Sequence, residues 1–198
     1  MNQLSIFCIC SPLLISFGIL FVGFVAATPE ECNVTGGEGI QMCCKHKREL
    51  ETKEKQEEYE NNMKNCFTKY FGDIEDPPAD DVKMSLMECV GECFFNASGL
   101  LTPDLKLSME KINSKDDMID PDPKWKSIDE AAVKTCFDKS VTEGTGSTKC
   151  KSGSFQFLKC VLRERFLNCP KDAWTESNEC KTYRGVVEKC PNVIPGVA

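Results

Sequence analysis

The sequence predicts an all-α protein: six or seven short helices around an apolar cavity, cross-linked by about six disulfides. Three observations carry that expectation. Apolar residues recur at offsets of three and four along most of the chain, the period of a helix buried on one face, while strand-like alternation is scarce. Fourteen cysteines stand in 198 residues, a density that an oxidising compartment turns into a disulfide framework. Cys89 and Cys93 sit four apart on one helix face, so both turn inward and each ties its helix to a different element.

Residues 1–27 carry no charged side chain and are rich in Leu, Ile, Phe and Val. Val25-Ala26-Ala27 supplies the small residues of a cleavage site before Thr28-Pro29, so 1–27 reads as a secretory signal peptide. A membrane anchor is the rival reading, because about 20 apolar residues span a bilayer. Pro12, Gly18 and the cleavage site favour removal. Removal also takes away Cys8 and Cys10 and leaves an even twelve cysteines in one disulfide-rich helical domain, residues 28–198.

Along that domain, residues 45–60 are crowded with mixed charge, which suits a solvated helical arm. Tyr59, Met63, Cys66, Phe67, Tyr70 and Phe71 then form one stripe, which Asp76-Pro77-Pro78 stops. Val82, Leu86, Cys89, Val90, Cys93 and Phe94 make the next stripe, ended by Asn96-Ala97-Ser98-Gly99. Thr102-Pro103 reads as the N-cap and first turn of a short helix carrying Leu105, Met109 and Ile112. Beyond the polar stretch with Pro121 and Pro123, Ser127 and Glu130 form a capping box that opens a helix with Ala132, Val133, Cys136 and Phe137 inward. Residues 144–148 read as a loop. Residues 154–167 give the most apolar helix, ended before Pro170, and 177–189 a last helix with Tyr183 and Val187 inward.

The net charge of −7 lies wholly outside the leader. It argues against nucleic acid as a partner, since phosphate neutralisation needs clustered Lys and Arg. Solubility is its plain account. Two sequons, at Asn33 and Asn96, are candidate glycosylation sites in a secreted chain.

No pattern points to catalysis, and none to a metal or cofactor. His46 is the one histidine, so any Ser-His-Asp or Cys-His set must use it. Cys43-Cys44-Lys45-His46 is one residue short of the Cys-Cys-x-x-His of secreted phospholipases A2, and no glycine-rich calcium loop precedes it. Asp120-x-Asp122-x-Lys124 fails as a calcium loop, with Trp125 at the sixth position and Ala131 at the twelfth. An oxidised cysteine set leaves no thiolate for zinc. Trp125 and Trp174 lie in polar sequence surroundings, which suits rim or partner contacts.

The run Cys66, Cys89-x3-Cys93, Cys136, Cys160-x8-Cys169 resembles the six-cysteine signature of insect odorant-binding proteins. The extra Cys150 in Cys150-x9-Cys160, Pro170 directly after Cys169, and Cys180 beyond resemble the twelve-cysteine Plus-C subgroup. The resemblance spans nearly the whole domain. It implies a non-enzymatic carrier, secreted into sensory lymph or another body fluid, that holds a small hydrophobic molecule such as an odorant or pheromone in an internal cavity and delivers it through that fluid. It also implies a membrane chemoreceptor as a possible recipient, and a monomer or weak homodimer. The family's pairing, carried over, joins Cys66 to Cys93, Cys89 to Cys160 and Cys136 to Cys169. The remaining Cys32, Cys43, Cys44, Cys150, Cys180 and Cys190 allow fifteen pairings, with adjacent Cys43 and Cys44 seeking different partners.

Met87, Val90, Phe94, Phe95, Leu101, Val133, Phe137, Leu158, Val161 and Leu162 are core in any helical protein, and candidates for lining the cavity of a carrier. The alternative from another class is a secreted disulfide-rich interaction module, an inhibitor or toxin-like factor, with a filled core. With His46 on the charged arm, carboxylates such as Glu88, Glu92 and Asp138 are left as acid sensors at low pH. The uncharged tail after Cys190, with Val193, Ile194 and Val197, is expected to dock partly over an apolar groove or the cavity mouth.

Overall fold

A computed structural model describes residues 32, 43–45, 52–72, 78–114, 118–143 and 149–195. The leader, Asn33, His46, Asp76-Pro77, the 144–148 loop and Val197 lie outside them. Among the described residues there are six helices: α1 (Lys53–Phe71), α2 (Asp80–Ala97), α3 (Met109–Ser114), α4 (Pro123–Glu143), α5 (Ser154–Leu167) and α6 (Asn178–Lys189). The all-α expectation holds. Among these residues no helix is long and apolar enough to cross a membrane.

The most apolar helix is the hub. α5 packs against α4, α2 and α6, and α1 packs on α2. Phe157 is fully buried and Val161 nearly so, one turn apart on the face of α5 that the first core covers. That core gathers Val90, Phe94 and Phe95 of α2, Leu100, Leu101 and Leu107 of the following loop, Ile112 of α3 and Ala132, Val133 and Cys136 of α4. A second core lies at the other end of α5. There Phe166 meets Trp174 and Tyr183 edge-on, with ring centroids 5.5 and 5.3 Å away, beside Trp125, Val187 and the Cys43-Cys44 pair. Of the two tryptophans expected to serve rim or partner contacts, Trp125 is 7% exposed in this core and Trp174 is half-buried against it.

α2 and α5 meet at closest approach around Gly91. A Cβ there would stand 3.0 Å from the Cβ of Phe155 and 3.1 Å from its backbone nitrogen. Beside this contact the Ser152 N–H donates to Glu92 Oε2 over 2.8 Å, and Gln156 Nε2 donates to Glu88 Oε1 over 2.5 Å. The start of α5 is thereby fastened onto α2.

That fastening explains why the disulfides depart from the pairing the resemblance implied. Cys66–Cys93 is present as expected. Cys89 bonds Cys150, not Cys160, because the strand of chain entering α5 is the part that lies on α2. Cys160, farther along α5, bonds Cys136 of α4, the helix that packs most extensively on α5. Cys169 lies past the end of α5 and bonds Cys44. Cys43 and Cys44 do take different partners, Cys180 and Cys169, and Cys32 bonds Cys190. The six bonds fall into two sets. One laces helices α1, α2, α4 and α5 with the segment entering α5; the other clasps the N-terminal segment to the C-terminal third.

Two helix starts also differ from expectation. Thr102 caps no helix. Its hydroxyl donates to Asp104 Oδ1 over 2.6 Å and accepts from the Lys106 N–H over 3.1 Å, which folds a tight loop between the bridged Leu101 and Leu107. Leu105 at its tip has φ 57°, a left-handed conformation that no helix continues. α3 starts later, where Ser108 Oγ accepts from the Lys111 N–H over 3.3 Å. α4 begins at Pro123, ahead of the Ser127 capping box, because Asp122 Oδ1 accepts the Lys124 N–H over 2.9 Å and proline needs no donor in a first turn.

Candidate functional site

An apolar cleft opens where α1 overhangs the end of α2. Cys66–Cys93 pins the two helices together, one residue before Phe94. N-terminal to that pin, Lys55, Glu58, Tyr59 and Asn62 fall on one face of α1 at offsets of three, four and seven, and all four line the cleft. α2 contributes Phe94 and its C-cap Ser98. Gly99, at φ 72°, then reverses the chain so that Leu100 returns under the helix end, and Met118 closes the floor. The open cleft offers a volume of about 150 Å³, on the scale of a single aromatic ring.

The chemistry is graded from mouth to floor. Lys55, Glu58, Asn62 and Ser98 give a polar rim; Tyr59, Phe94, Leu100 and Met118 give an apolar interior. Tyr59 and Phe94 meet edge to face, 4.9 Å between centroids at 76°. The series continues inward through Phe95 at 6.1 Å and Phe157 at 5.9 Å, so the cleft wall is the outer end of the aromatic run through the first core. Tyr59 remains 48% exposed although it is an aromatic wall, which leaves apolar area there for another molecule to cover.

A larger depression, about 400 Å³, lies beside the second core and is of the opposite character. Asp120, Asp122 and Asp172 face Lys45 and Lys124 across it, with Trp125 and Ala173 completing the wall. Lys124 and Asp172 form an exposed ion pair there, which lowers the Asp172 carboxyl and raises the Lys124 ammonium, in each case chiefly through their hydrogen bond. Asp120 Oδ1 is committed to the Asp122 N–H at 2.8 Å. A wall of three carboxylates and two lysines does not suit an apolar molecule. Among the described residues no three His, Cys, Asp or Glu side chains gather in a metal-holding group.

Of the ten residues expected to line a cavity, Phe94 reaches the cleft. Val90, Phe95, Leu101, Val133 and Val161 are buried in the first core, and Phe137 and Leu158 pack against it half-buried. Met87 and Leu162 are half-buried too. Sequence reasoning missed Tyr59, Leu100 and Met118 as lining residues, and the four rim residues. Tyr59 was legible as the first apolar position in the α1 stripe, but its charged neighbours read as a solvated arm. Met118 stands in a polar stretch with no periodicity to expose it. The tail, as far as described, lies on the second core and not over the cleft mouth: Val193 packs there and Pro195 is buried. Asn96 is exposed in the last turn of α2.

The cleft can now be set beside known proteins. Over 107 residues the chain is 22% identical to General odorant-binding protein 67 of Anopheles gambiae. Over about half of its length the chain is thus similar to an insect odorant-binding protein. The match covers 52% of this chain and 52% of that protein, so the chain spans about half the length of the curated relative it matches. No family model matches the chain, and no solved structure matches it. Six helices and six disulfides are consistent with the all-α fold expected of an odorant-binding protein.

Proposed function

We propose that this protein is a secreted, non-enzymatic carrier of small hydrophobic molecules, odorants or related semiochemicals, of the Plus-C type. The observation that carries the reading is the cleft of Tyr59, Phe94, Leu100 and Met118, apolar inside and polar at its rim, in a chain similar over about half of its length to an odorant-binding protein. The six disulfides support secretion, because a reducing compartment would not keep them. The leader reads as the export signal, and delivery to a membrane chemoreceptor follows from the carrier role. An aromatic wall half open to solvent gains from being covered, at about 25 cal/mol per Å² of apolar surface.

A fluorescent naphthylamine probe tests this. Its emission should rise on binding, with Kd of order micromolar, since roughly 0.3 to 0.5 kcal/mol per heavy atom is realistic for such a ligand. Tyr59→Ala, at an exposed position, should weaken binding about tenfold or more while leaving the fold intact. Loss of binding in Phe137→Asp or in a charged Val161 variant, with Tyr59→Ala unaffected, moves the site to the interior. No binding by a fully oxidised protein overturns the carrier and leaves the filled-core interaction module.

A further inference from the structure

We infer that Asn96 is an N-glycosylation site, that it lies on the back of the last turn of α2, and that its glycan leaves the cleft open. The inference rests on the secretory reading above, since the modification occurs in an export compartment.

Position is the first argument. Phe94 and Ser98, which line the cleft, are four residues apart and share a face of α2. Asn96 lies midway between them, about 200° around the helix from Phe94 at 3.6 residues per turn. Its nearer neighbour on the helix surface is Glu92, one turn back, whose carboxylate points to Ser152 at the start of α5. The cleft is thus on the α1 side of α2, and Asn96 is on the α5 side, past the point where α5 covers it. Both Asn96 and Ala97 are exposed.

Availability is the second. The turn that ends α2 is closed by backbone groups: Ser98 N–H to Phe94 O at 2.9 Å, Gly99 N–H to Asn96 O at 3.0 Å and Leu100 N–H to Phe95 O at 2.8 Å. None of these backbone bonds uses the Asn96 side chain, which is exposed beside the turn. Asn168 is different, because its Nδ2 donates to Glu164 O over 2.8 Å. Substituting Asn96 Nδ2 therefore leaves the bonds that close the turn in place. The donor is a lipid-pyrophosphate-linked oligosaccharide. The bond from sugar C1 to the pyrophosphate oxygen breaks, C1–Nδ2 forms, and the amide proton leaves with the lipid pyrophosphate.

The full chain, leader included, is expressed in insect cells, and the secreted protein is weighed before and after an amidase that cleaves the Asn–glycan bond. Asn33→Gln should still lose mass on treatment, and the Asn33→Gln, Asn96→Gln double variant should lose none. The naphthylamine probe should bind the glycosylated and the treated Asn33→Gln protein with Kd values within about twofold. A secreted, fully oxidised Asn33→Gln protein with no glycan overturns the site while the secretory reading stands; a protein retained in the cytosol overturns both. Affinity that rises about fivefold or more after treatment places the glycan over the mouth and overturns the open cleft. The mass measurement reads the site whether or not the probe binds.

Discussion

Arg165 Nε lies 2.8 Å from Asp129 Oδ1, and the Asp129 side chain is fully buried. The pair joins α5 to α4 where the second core begins. Asp129 Oδ2 also accepts the Asp120 N–H over 2.9 Å, and the Arg165 guanidinium stacks 5.5 Å above the Trp125 ring. Oδ1 receives no well-aligned N–H, so its contact with Arg165 is mainly one of charge. Removing one member of a buried ion pair strands the other, at a cost of about 3 to 5 kcal/mol. Arg165 keeps 17% of its side chain in water, which puts Asp129→Ala near the lower end. Urea unfolding should show that loss, with Asp129→Asn milder because the Asp120 bond survives. A midpoint unchanged in Asp129→Ala would show that the pair contributes nothing net.

Gly91 gives a case where helix propensity and packing oppose each other. Alanine is favoured over glycine inside a helix by about 1 kcal/mol. The new methyl, however, would meet the Phe155 backbone at 3.1 Å, in a segment that Cys89–Cys150 prevents from retreating. Overpacking of this kind costs roughly 1 to 3 kcal/mol, so Gly91→Ala should lower the melting temperature. Gly185→Ala on α6 is the control, because nothing lies within 4 Å of its would-be Cβ. It should raise the melting temperature. Two variants that shift in the same direction would refute the close-approach argument.

The terminal clasp should be worth less than its sequence span suggests. Cys32 and Cys190 are 158 residues apart, but Cys43–Cys180 already closes most of that loop. With the other bonds intact, the outer bond closes a ring of roughly 20 residues, worth about 3 kcal/mol in the chain-entropy model. Replacing Cys32 and Cys190 by Ser should cost no more than that and leave probe affinity unchanged. Non-reducing peptide mapping of the same protein checks the remaining pairs. A Cys89–Cys160 or Cys136–Cys169 peptide would restore the pairing of the six-cysteine signature.

Much of the fold was legible because its causes are local. Helical periodicity placed α2 and α5 almost to the residue, and adjacency alone separated the partners of Cys43 and Cys44. The pairing of Cys89 was not legible. It depends on which stretch of chain lies across α2, and that is decided by the Gly91 contact and the Glu92–Ser152 bond, both long-range in sequence. The cleft was hidden for the same reason. Tyr59, Leu100 and Met118 come from three segments that no period links, brought together by the Cys66–Cys93 pin and the Gly99 reversal.

Acid should act on the exposed pairs late. The Lys124 hydrogen bond holds the Asp172 carboxyl below its ordinary value, and Thr102, with Lys106, does the same for Asp104. A lowered carboxylate pKa stabilises the fold at pH above the unfolded value, near about 4, and the contribution fades as pH falls through the lowered one. These groups therefore give no pH dependence between 5 and 7. Unfolding midpoints from pH 7 to 2 should stay level to about pH 4 and then fall. Lys124→Gln should flatten part of that fall. If the same variant instead changes stability at pH 6 but not at pH 3, the pair is not the cause.

The tail should brace the second core and leave the cleft alone. Past Cys190 the chain turns, with the Val193 N–H donating to Cys190 O over 3.1 Å. Val193 packs against the second core, and Pro195 is buried, while the residues lining the cleft belong to the other end of the molecule's apolar interior. Burying two side chains of this size stabilises by about 1.5 to 3 kcal/mol each at full burial, and part of that is offset by ordering the segment. Truncation after Pro191 should therefore lower the unfolding midpoint measurably. Dissociation of the naphthylamine probe should keep its rate, because no displaced residue borders the cleft. A faster off-rate at an unchanged midpoint is the signature of a lid, and it would reverse this assignment.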